Sequence, residues 1–389
     1  MELEKLKKEI QEEVEAHRQE LIDLSLKIHA NPEVGWQEEK SSGWLADYLE
    51  KNGFKVERGI CDLPTAFRAR YGQGKPVIAI MAEYDALPGV GHGCGHNIIG
   101  TAAVGAGIAA KLAAEQAGGT ILVFGTPAEE CLGGKVVMAE KGAFDGVDAA
   151  MIVHPRGKYN AVGVRFLAMI SLDVEFWGKS AHASSAPWDG INALEAMIQS
   201  FNGINSLRQH IKNKARIHGV ITDGGKVANV IPEHSAGAFM VRATEDAYLD
   251  ELREKVLNCF KAAALSTGAR LEYRWGQRCS AMRFNSVLTQ LWADNIQTLG
   301  RRADGFLEIG GSTDMGNVST IVPSMHPFVA ISSEPVPLHS TEFAAVAASD
   351  AGMEGLIDGA KALAMTAADV IGQPEALSRI KEEFLNTSK

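Results

Sequence analysis

The sequence predicts an α/β protein in which one α/β/α domain is interrupted by a smaller α+β domain. Apolar runs alternate with helical segments in the first part of the chain, and strands and helices follow a different order in the middle. Near residue 281 the first pattern returns. Runs that are apolar on both faces are typical of a parallel sheet covered by helices. The 389 residues also exceed what one hydrophobic core usually supports.

The first part of the chain is predicted to form helices and then a parallel sheet. Apolar residues at helical spacing predict one long amphipathic helix over 3–30. A second helix, around 44–49, ends at Asn52-Gly53, which is a helix-termination signal. Three apolar runs then alternate with two helices, the first of them rich in small residues, and we expect each run to be a buried strand. The strands are 76–82, 120–124 and 149–153, and the helices are 97–116 and 133–142.

The middle of the chain has the order β-α-β-β-α-β, which indicates a split ferredoxin-like domain. Its predicted strands and helices are 168–178, 189–208, 215–222, 235–243, 245–265 and 269–277. A helix over 284–300, an apolar strand over 328–331 and a long Ala-rich helix after His339 then restore the first pattern. We therefore predict a discontinuous domain over 1–166 and 281–389, with a domain inserted over 167–280.

Composition excludes several classes of protein. The chain carries 38 Lys+Arg against 48 Asp+Glu, for a net charge of -10. Without a basic stripe it is a poor nucleic-acid binder, because phosphate contacts need clustered cations. Five scattered cysteines favour a reducing compartment over a disulfide framework. The charged N-terminus is unlike a signal peptide, and the apolar stretch 98–114 is shorter than the ~20 residues of a bilayer span. We expect a cytoplasmic protein with no membrane or nucleic-acid partner.

The side chains that follow the predicted strands carry the main functional signal. Ligands bind at the carboxyl ends of the strands in open parallel sheets. Cysteine, histidine or glutamate follows at five such positions, which are Cys94, His96, Glu129-Glu130, His154 and His339. We expect these side chains to converge on one site.

The types of side chain point to a transition metal. Cys94 and His96 flank a glycine, so a tight turn can direct a thiolate and an imidazole at one ion, and this pair suits zinc better than magnesium or calcium. The adjacent Glu129 and Glu130 would repel each other without a cation. With one, a carboxylate can bind the metal while its neighbour acts as general base. The glycines at 89–93 miss the spacing of a dinucleotide-binding loop.

The residue types alone do not fix the roles of several further candidates. In the inserted domain His182 lies in a small-residue loop, and Asn229 and Arg242 form either a clamp for a carboxylate or a turn and a surface cation. Gly311 lies in a turn, 310–314, that can line a pocket. His92, His326 and Asn97 have no assigned role.

The chain resembles the M20 metallopeptidase family. The motifs that carry the resemblance are Asp85-Ala-Leu-Pro88, Cys94-Gly-His96 and Pro127-Ala-Glu-Glu130, and the stretch 82–97 is most similar to the aminobenzoyl-glutamate hydrolase and Xaa-Arg dipeptidase subgroup. The resemblance covers nearly the whole chain. It implies a zinc-peptidase-like catalytic domain with an inserted lid domain that mediates dimerisation.

The resemblance also implies a role for each matching residue. Two divalent ions are expected, with zinc favoured and manganese, cobalt or nickel as alternatives. Their implied ligands are Cys94, His96, Glu130, His154 and His339. Glu129 is implied as the general base and Asp85 as a group that orients a ligand. His182 is implied to stabilise the oxyanion in the partner subunit's site, Asn229 and Arg242 to hold a substrate carboxylate, and Gly311 to line the pocket.

The predicted activity is metal-dependent hydrolysis of an amide bond, with Glu129 activating a metal-bound water. Candidate substrates with a free carboxylate are N-acyl amino acids, aminobenzoyl-glutamate-like compounds and dipeptides, so the enzyme is an amidohydrolase, dipeptidase or carboxypeptidase. A homodimer or higher homo-oligomer is expected. The alternative is a catalytically retired metal-binding or scaffold protein. Two departures from the family pattern, Glu83 in place of a ligand His and Asn97 in place of an Asp, leave the metal open.

Overall fold

The computed structural model describes residues 2–131, 133–308 and 311–387. The α-helices of these residues are α1 (Glu2–Ala16), α2 (Arg18–His29), α3 (Glu39–Lys51), α4 (His96–Ala117), α5 (Gly134–Glu140), α6 (Ala193–Leu207), α7 (Asp246–Thr267), α8 (Ser286–Thr298), α9 (Met315–Ser319), α10 (Thr341–Val346), α11 (Asp350–Gly372) and α12 (Pro374–Thr387). The strands are β1 (Lys55–Arg58), β2 (Phe67–Gln73), β3 (Val77–Ala82), β4 (Gly119–Gly125), β5 (Ala149–Met151), β6 (His154–Arg156), β7 (Ala168–Trp177), β8 (Arg216–Asp223), β9 (His234–Ala243), β10 (Arg270–Cys279), β11 (Ser324–Met325) and β12 (Phe328–Ala330).

The described residues form two compact units. The first contains 2–165, 282–308 and 314–387, and the second contains 166–281 and 311–313. Each predicted boundary of the inserted domain lies within about one residue of this division. The short segment 311–313 was not expected in the second unit.

The first unit is built on a six-stranded sheet in the order β1-β2-β4-β3-β5-β11. Strands β3, β4, β5 and β11 run parallel, as the apolar runs of the first three predict, while β2 runs antiparallel to both of its neighbours, β1 and β4. The sheet is therefore mixed, which corrects the prediction of a purely parallel one. Charged β1 at the edge lacked the apolar signal that identified the inner strands.

Helix α4 fills the centre of the first unit and places the residues that follow β3. At Gly100 a side chain would lie 2.7 Å from the carbonyl oxygen of Glu83, so glycine allows the helix to approach the end of β3. By length and composition α4 could cross a membrane, which corrects the expectation that this stretch is too short. However, 89% of its apolar window is buried inside the protein, as in the core helix of a globular domain.

Three further predictions about the first unit need correction. The helix expected over 3–30 is interrupted at His17, whose backbone leaves the α-helical region (φ -92°, ψ 0°) and whose ring Nδ1 lies 2.9 Å from the Tyr48 hydroxyl. The strand expected at 328–331 does not join the main sheet, because β12 pairs with β6 in a separate two-stranded sheet. The final helix is divided into α10, α11 and α12.

The second unit has the predicted order and a four-stranded antiparallel sheet, β10-β7-β9-β8. Helices α6 and α7 cover one face, and apolar residues of the sheet and both helices form a separate core. Helix α6 begins at Ala193, four residues later than predicted, because the Asn192 side chain caps it by accepting a hydrogen bond from the Glu195 backbone N–H (3.2 Å). Strands β8 and β10 are the edges of this sheet.

Candidate metal centre

The residues expected at strand ends meet in the first unit. Cys94, His96 and His154 offer ligand atoms within 4.8 Å of one another, and so do Cys94 with Glu130 and His339. His96 also forms such a group with Glu129 and Glu130. All six side chains therefore belong to one connected cluster.

Asp85 fixes two members of this cluster. Its Oδ1 accepts a hydrogen bond from His96 Nδ1 (2.9 Å), and its Oδ2 accepts one from the Glu130 backbone N–H (2.9 Å). With the Nδ1 proton held by a carboxylate, the Nε2 lone pair of His96 faces the cluster. A carboxylate behind a histidine in this way orients the ring and increases its basicity as a metal ligand.

Cys94 and His154 face each other across the cluster. The Cys94 Sγ lies 3.3 Å from His154 Nε2, while His154 Nδ1 donates to the Pro155 carbonyl oxygen (2.6 Å). Gly95 allows this turn because its φ is +81° and a Cβ there would lie 2.5 Å from Pro155 Cγ. Only glycine adopts that conformation without strain in that space.

The turn that carries Glu129 and Glu130 is fixed by a hydrogen bond to a buried glutamate. Ala128 has a left-handed backbone (φ 57°), and its N–H donates to buried Glu38 Oε1 (2.7 Å). The turn places Glu129 Oε2 and Glu130 Oε1 4.0 and 3.9 Å from His96 Nε2. When no metal ion is bound, burial and the nearby carboxylates of Glu83 and Glu130 raise the pKa of Glu129 well above its ordinary value.

His339 closes the cluster on its exposed side. Its Nε2 lies 3.5 Å from Glu130 Oε2, and its side chain is 55% exposed. The backbone N–H of His339 donates to the Gly93 carbonyl oxygen (2.8 Å), so the segment before α10 is attached to the glycine-rich loop. His339 also has a left-handed backbone (φ 62°), a conformation that a non-glycine residue adopts at a cost and often at functional sites.

The donor set fits a divalent transition metal. His96 Nε2 and Glu130 Oε1 are buried and have no hydrogen-bond partner among the described residues. Buried polar atoms without partners are costly, and a cation would satisfy both of these. Neighbouring donor atoms 3.3 to 4.0 Å apart can bind a common ion, and thiolate with imidazole favours zinc-like metals.

A second buried cluster lies against the first and was not predicted. Lys135 Nζ lies 2.7 Å from Glu83 Oε1 and 2.5 Å from Asp314 Oδ1, and all three side chains are fully buried. Glu83, Glu129 and Asp314 have oxygens within 4.8 Å of one another. Lys135 and Asp314 are 179 residues apart, so spacing gave no signal for the pair. Glu83 attracted notice only as a departure from the family pattern.

The second unit contains the remaining candidates. His182 and Asn229 lie on neighbouring segments, since His182 forms a bridge with Val230 and the Ala183 N–H donates to the Asn229 carbonyl oxygen (3.0 Å). His182 and Asn229 are both exposed. His182 Nδ1 accepts from the backbone N–H groups of Ser184 and Ser185 (3.2 Å each), so in the neutral ring Nε2 carries the proton and is a donor.

Arg242, on β9, is a half-buried cation without a carboxylate partner among the described residues. Its Nη1 donates to Ser312 Oγ (3.2 Å), and its buried Nε has no partner there. Gly311 lies beside Ser312, and a Cβ at Gly311 would lie 3.7 Å from the Phe166 ring, while its neighbour Gly310 lies outside the described residues. Burial lowers the pKa of Arg242, although an arginine remains charged at any ordinary pH.

The three undecided residues have distinct surroundings. Asn97 Nδ2 donates to Ser25 Oγ and to the Ala347 carbonyl oxygen (3.0 Å each), so it links α4 to neighbouring segments. The ring of His326 stacks on that of His154 with centroids 5.7 Å apart. His92 is buried and stacks on His29 at 5.9 Å. None of the three belongs to a metal-ligand group among the described residues.

This fold and its ligand cluster define a metal-binding hydrolase. The model for peptidase family M20/M25/M40 matches residues 79–372. The chain belongs to this family, in agreement with the resemblance carried by its motifs.

Similar proteins with assigned activities also support membership of this family. The chain is 34% identical to a mouse (Mus musculus) Xaa-Arg dipeptidase over 98% of this chain and 93% of the relative, and 35% identical to the human (Homo sapiens) one over the same shares. It is 38% identical to one of the subunits of p-aminobenzoyl-glutamate hydrolase from Escherichia coli over 72% of this chain and 62% of the relative.

Solved structures share the fold. A putative aminohydrolase from methicillin-resistant Staphylococcus aureus superposes with a TM-score of 0.78 at 21% identity, covering 94% of this chain and 100% of that chain. A dinuclear metal-binding peptidase of the M20 family from Bacillus subtilis superposes with a TM-score of 0.72 at 20% identity, covering 92% and 99%.

Proposed function

We propose that this protein hydrolyses the amide bond of a small substrate with a free carboxylate, using two divalent ions, with zinc favoured. The observation that carries the proposal is the convergence of His96 Nε2 and Glu130 Oε1, both buried without partners among the described residues, beside the carboxylate of Glu129. Cys94, His96, Glu130, His154 and His339 would hold the ions. The ions would polarise the amide carbonyl and make water more acidic.

Glu129 is the proposed general base. Its carboxylate lies at the edge of the ligand cluster, with Oε2 4.0 Å from His96 Nε2. A water bound to a metal ion held by this cluster would therefore lie within reach of Glu129. A base of this kind takes the proton from the attacking water and passes it to the departing amine. Asp85 holds His96 and Glu130 in place during these steps through its two hydrogen bonds.

Three residues of the inserted unit are proposed to act on the substrate. His182 would donate its Nε2 proton to the developing oxyanion, because its Nδ1 already accepts two backbone N–H groups. Arg242, with no carboxylate partner among the described residues, and Asn229 would bind the substrate carboxylate. Gly311 would line the same pocket beside Ser312.

The substrate class follows from this carboxylate clamp and from the relatives' names. We propose dipeptides first, since the Xaa-Arg dipeptidases match almost the full length of the chain, and p-aminobenzoyl-glutamate and N-acyl amino acids next. The test is a panel of dipeptides with basic, acidic and neutral C-terminal residues, p-aminobenzoyl-glutamate and N-acetyl amino acids, with release of free amine as the readout. Amidated C-termini serve as matched controls and should be cleaved poorly.

The metal requirement is tested with the same panel. Chelation should abolish turnover, and zinc, manganese, cobalt and nickel should restore it to different extents. Cys94→Ala should lower the metal content, whereas Cys259→Ala, a half-buried cysteine in the second unit, should leave it unchanged. A protein that binds metal and cleaves none of these substrates would favour a retired binding function instead.

A homodimer is proposed through the inserted unit. Edge strand β8 exposes Val220 and Ile221 (60% and 41%), and the following turn exposes Val227 and Val230 (58% and 38%). An unprotected apolar sheet edge favours pairing with another strand. A second copy of this edge would supply such a strand.

A further inference from the structure

The most unusual buried group in the described residues is the ammonium of Lys135. Both of its carboxylate contacts are short, and Asp314 holds the residue at two points, since its Oδ2 accepts the Lys135 backbone N–H (2.9 Å) while its Oδ1 contacts Nζ. Glu83 Oε1 completes the contact at 2.7 Å. The ammonium therefore has a fixed position between two carboxylates.

The surrounding charges require a cation at this position. Glu83, Glu129 and Asp314 offer oxygens within 4.8 Å of one another in a buried environment. Buried like charges are unstable unless a cation lies among them. Burial alone would lower the pKa of Lys135, but Asp314, Glu83 and Glu129 together raise it above its ordinary value, so the ammonium is charged.

This cluster differs chemically from the three ligand groups next to it. Each of those groups contains a histidine or a cysteine, whereas Glu83, Glu129 and Asp314 offer carboxylate oxygens alone. Three carboxylates form the kind of site that binds hard cations such as Mn²⁺ or Mg²⁺. Glu129 is common to both sets, so an ion in the carboxylate cluster would coordinate the proposed base.

We propose that Lys135 is a positioning residue whose ammonium keeps metal ions out of the Glu83–Glu129–Asp314 cluster and so leaves Glu129 free to accept a proton. The inference rests on the proposed metal-dependent function, because it concerns the base of that reaction. A covalently attached cation offsets part of the negative charge of the carboxylates without competing for water or substrate.

The test is the metal content of Lys135→Ala. Chelator-stripped wild type and variant are reconstituted with Mn²⁺, freed of excess metal by gel filtration and analysed by elemental mass spectrometry. The variant is expected to hold one more Mn²⁺ per chain than the wild type, with kcat lowered and KM little changed. The double variant Glu83→Gln/Lys135→Ala, which has the wild-type net charge in the cluster, should return to the wild-type metal content.

Each outcome decides the proposal. A folded Lys135→Ala protein with the wild-type metal content would overturn it, as would an extra ion that persists in the double variant. If Lys135→Ala unfolds, millimolar Mn²⁺ should restore its thermal transition, since the ion replaces the ammonium, and failure to do so also counts against it. The wild type separately tests the proposed function, through its turnover and its own metal content.

Discussion

The two units hold their functional residues in different ways. In the first unit, the proposed ligands are fixed by the fold itself: Asp85 orients His96 and Glu130, and the Pro155 carbonyl orients His154. In the second unit, His182 and Asn229 lie at the surface, and Arg242 retains unused donors. The first set is held in place by contacts within the protein, whereas the second set leaves donors available for the proposed substrate.

This difference separates two kinds of expected defect. Changes in the first unit should alter metal content or the proton-transfer step, because those side chains form one connected cluster. Changes in the second unit should leave the metal in place and alter turnover or substrate affinity. Each variant below is therefore to be measured for both metal content and steady-state kinetics.

The largest effect is expected for Glu129→Gln. Removing a general base costs about 10²–10⁴-fold in kcat, while the proposed ligands remain, so metal content should stay at the wild-type level. Glu140→Gln, an exposed glutamate on α5, is the matched control and should behave as wild type. Substantial remaining turnover in Glu129→Gln would exclude its assignment as the base.

His182→Ala should have the next largest effect, and without loss of metal. Removal of one oxyanion donor typically costs about 10²–10³-fold in kcat. His210→Ala, an exposed histidine of the second unit, is the control. If His182 acts on the partner subunit's site, heterodimers of His182→Ala and Glu129→Gln chains should regain part of the activity. Verified heterodimers with no recovery would contradict action in trans.

The same difference explains what the sequence could predict. The residues of the cluster could be predicted because each follows an apolar strand or lies in a glycine-rich turn, and these are local signals. The pair β1 and β2 was missed because neither strand has the continuous apolar run of β3 or β4: β1 is a charged edge strand, and β2 carries Arg68, Arg70 and Gln73. The break at His17 has neither glycine nor proline to mark it.

Lys135 was missed for a different reason. Its partners Glu83 and Asp314 are distant in sequence, and a lysine beside glycine at a helix start is ordinarily exposed. Only the packing of α5 against the end of β3 and the segment before α9 reveals that the ammonium is buried. Ion pairs between residues so distant in sequence produce no periodic pattern from which they could be predicted.

Arg242→Met should weaken substrate binding. Losing hydrogen bonds to a charged group costs about 1.5–3 kcal/mol, or roughly 10- to 150-fold in kcat/KM, and most of it should appear in KM. Metal content should not change. Arg216→Met is a matched control, because Arg216 lies directly opposite Arg242 in the β8–β9 pairing. An amidated substrate should show no difference between wild type and Arg242→Met, and a difference of the same size would argue against a carboxylate contact.

The smallest effect is expected at the exposed edge of the second unit. Val220→Lys replaces an apolar side chain on β8 that is 60% exposed in the single chain. Each dimer loses the burial of two valines, so a dimer formed by this edge should weaken by about tenfold or more, and two lysines facing each other add repulsion. Leu265→Lys, 87% exposed on α7 of the same unit, is the control. Light scattering over a dilution series measures the dissociation constant. If Val220→Lys and Leu265→Lys have the same dissociation constant, the interface lies elsewhere. If kcat falls as the dimer dissociates, His182 acts in the site of the partner subunit.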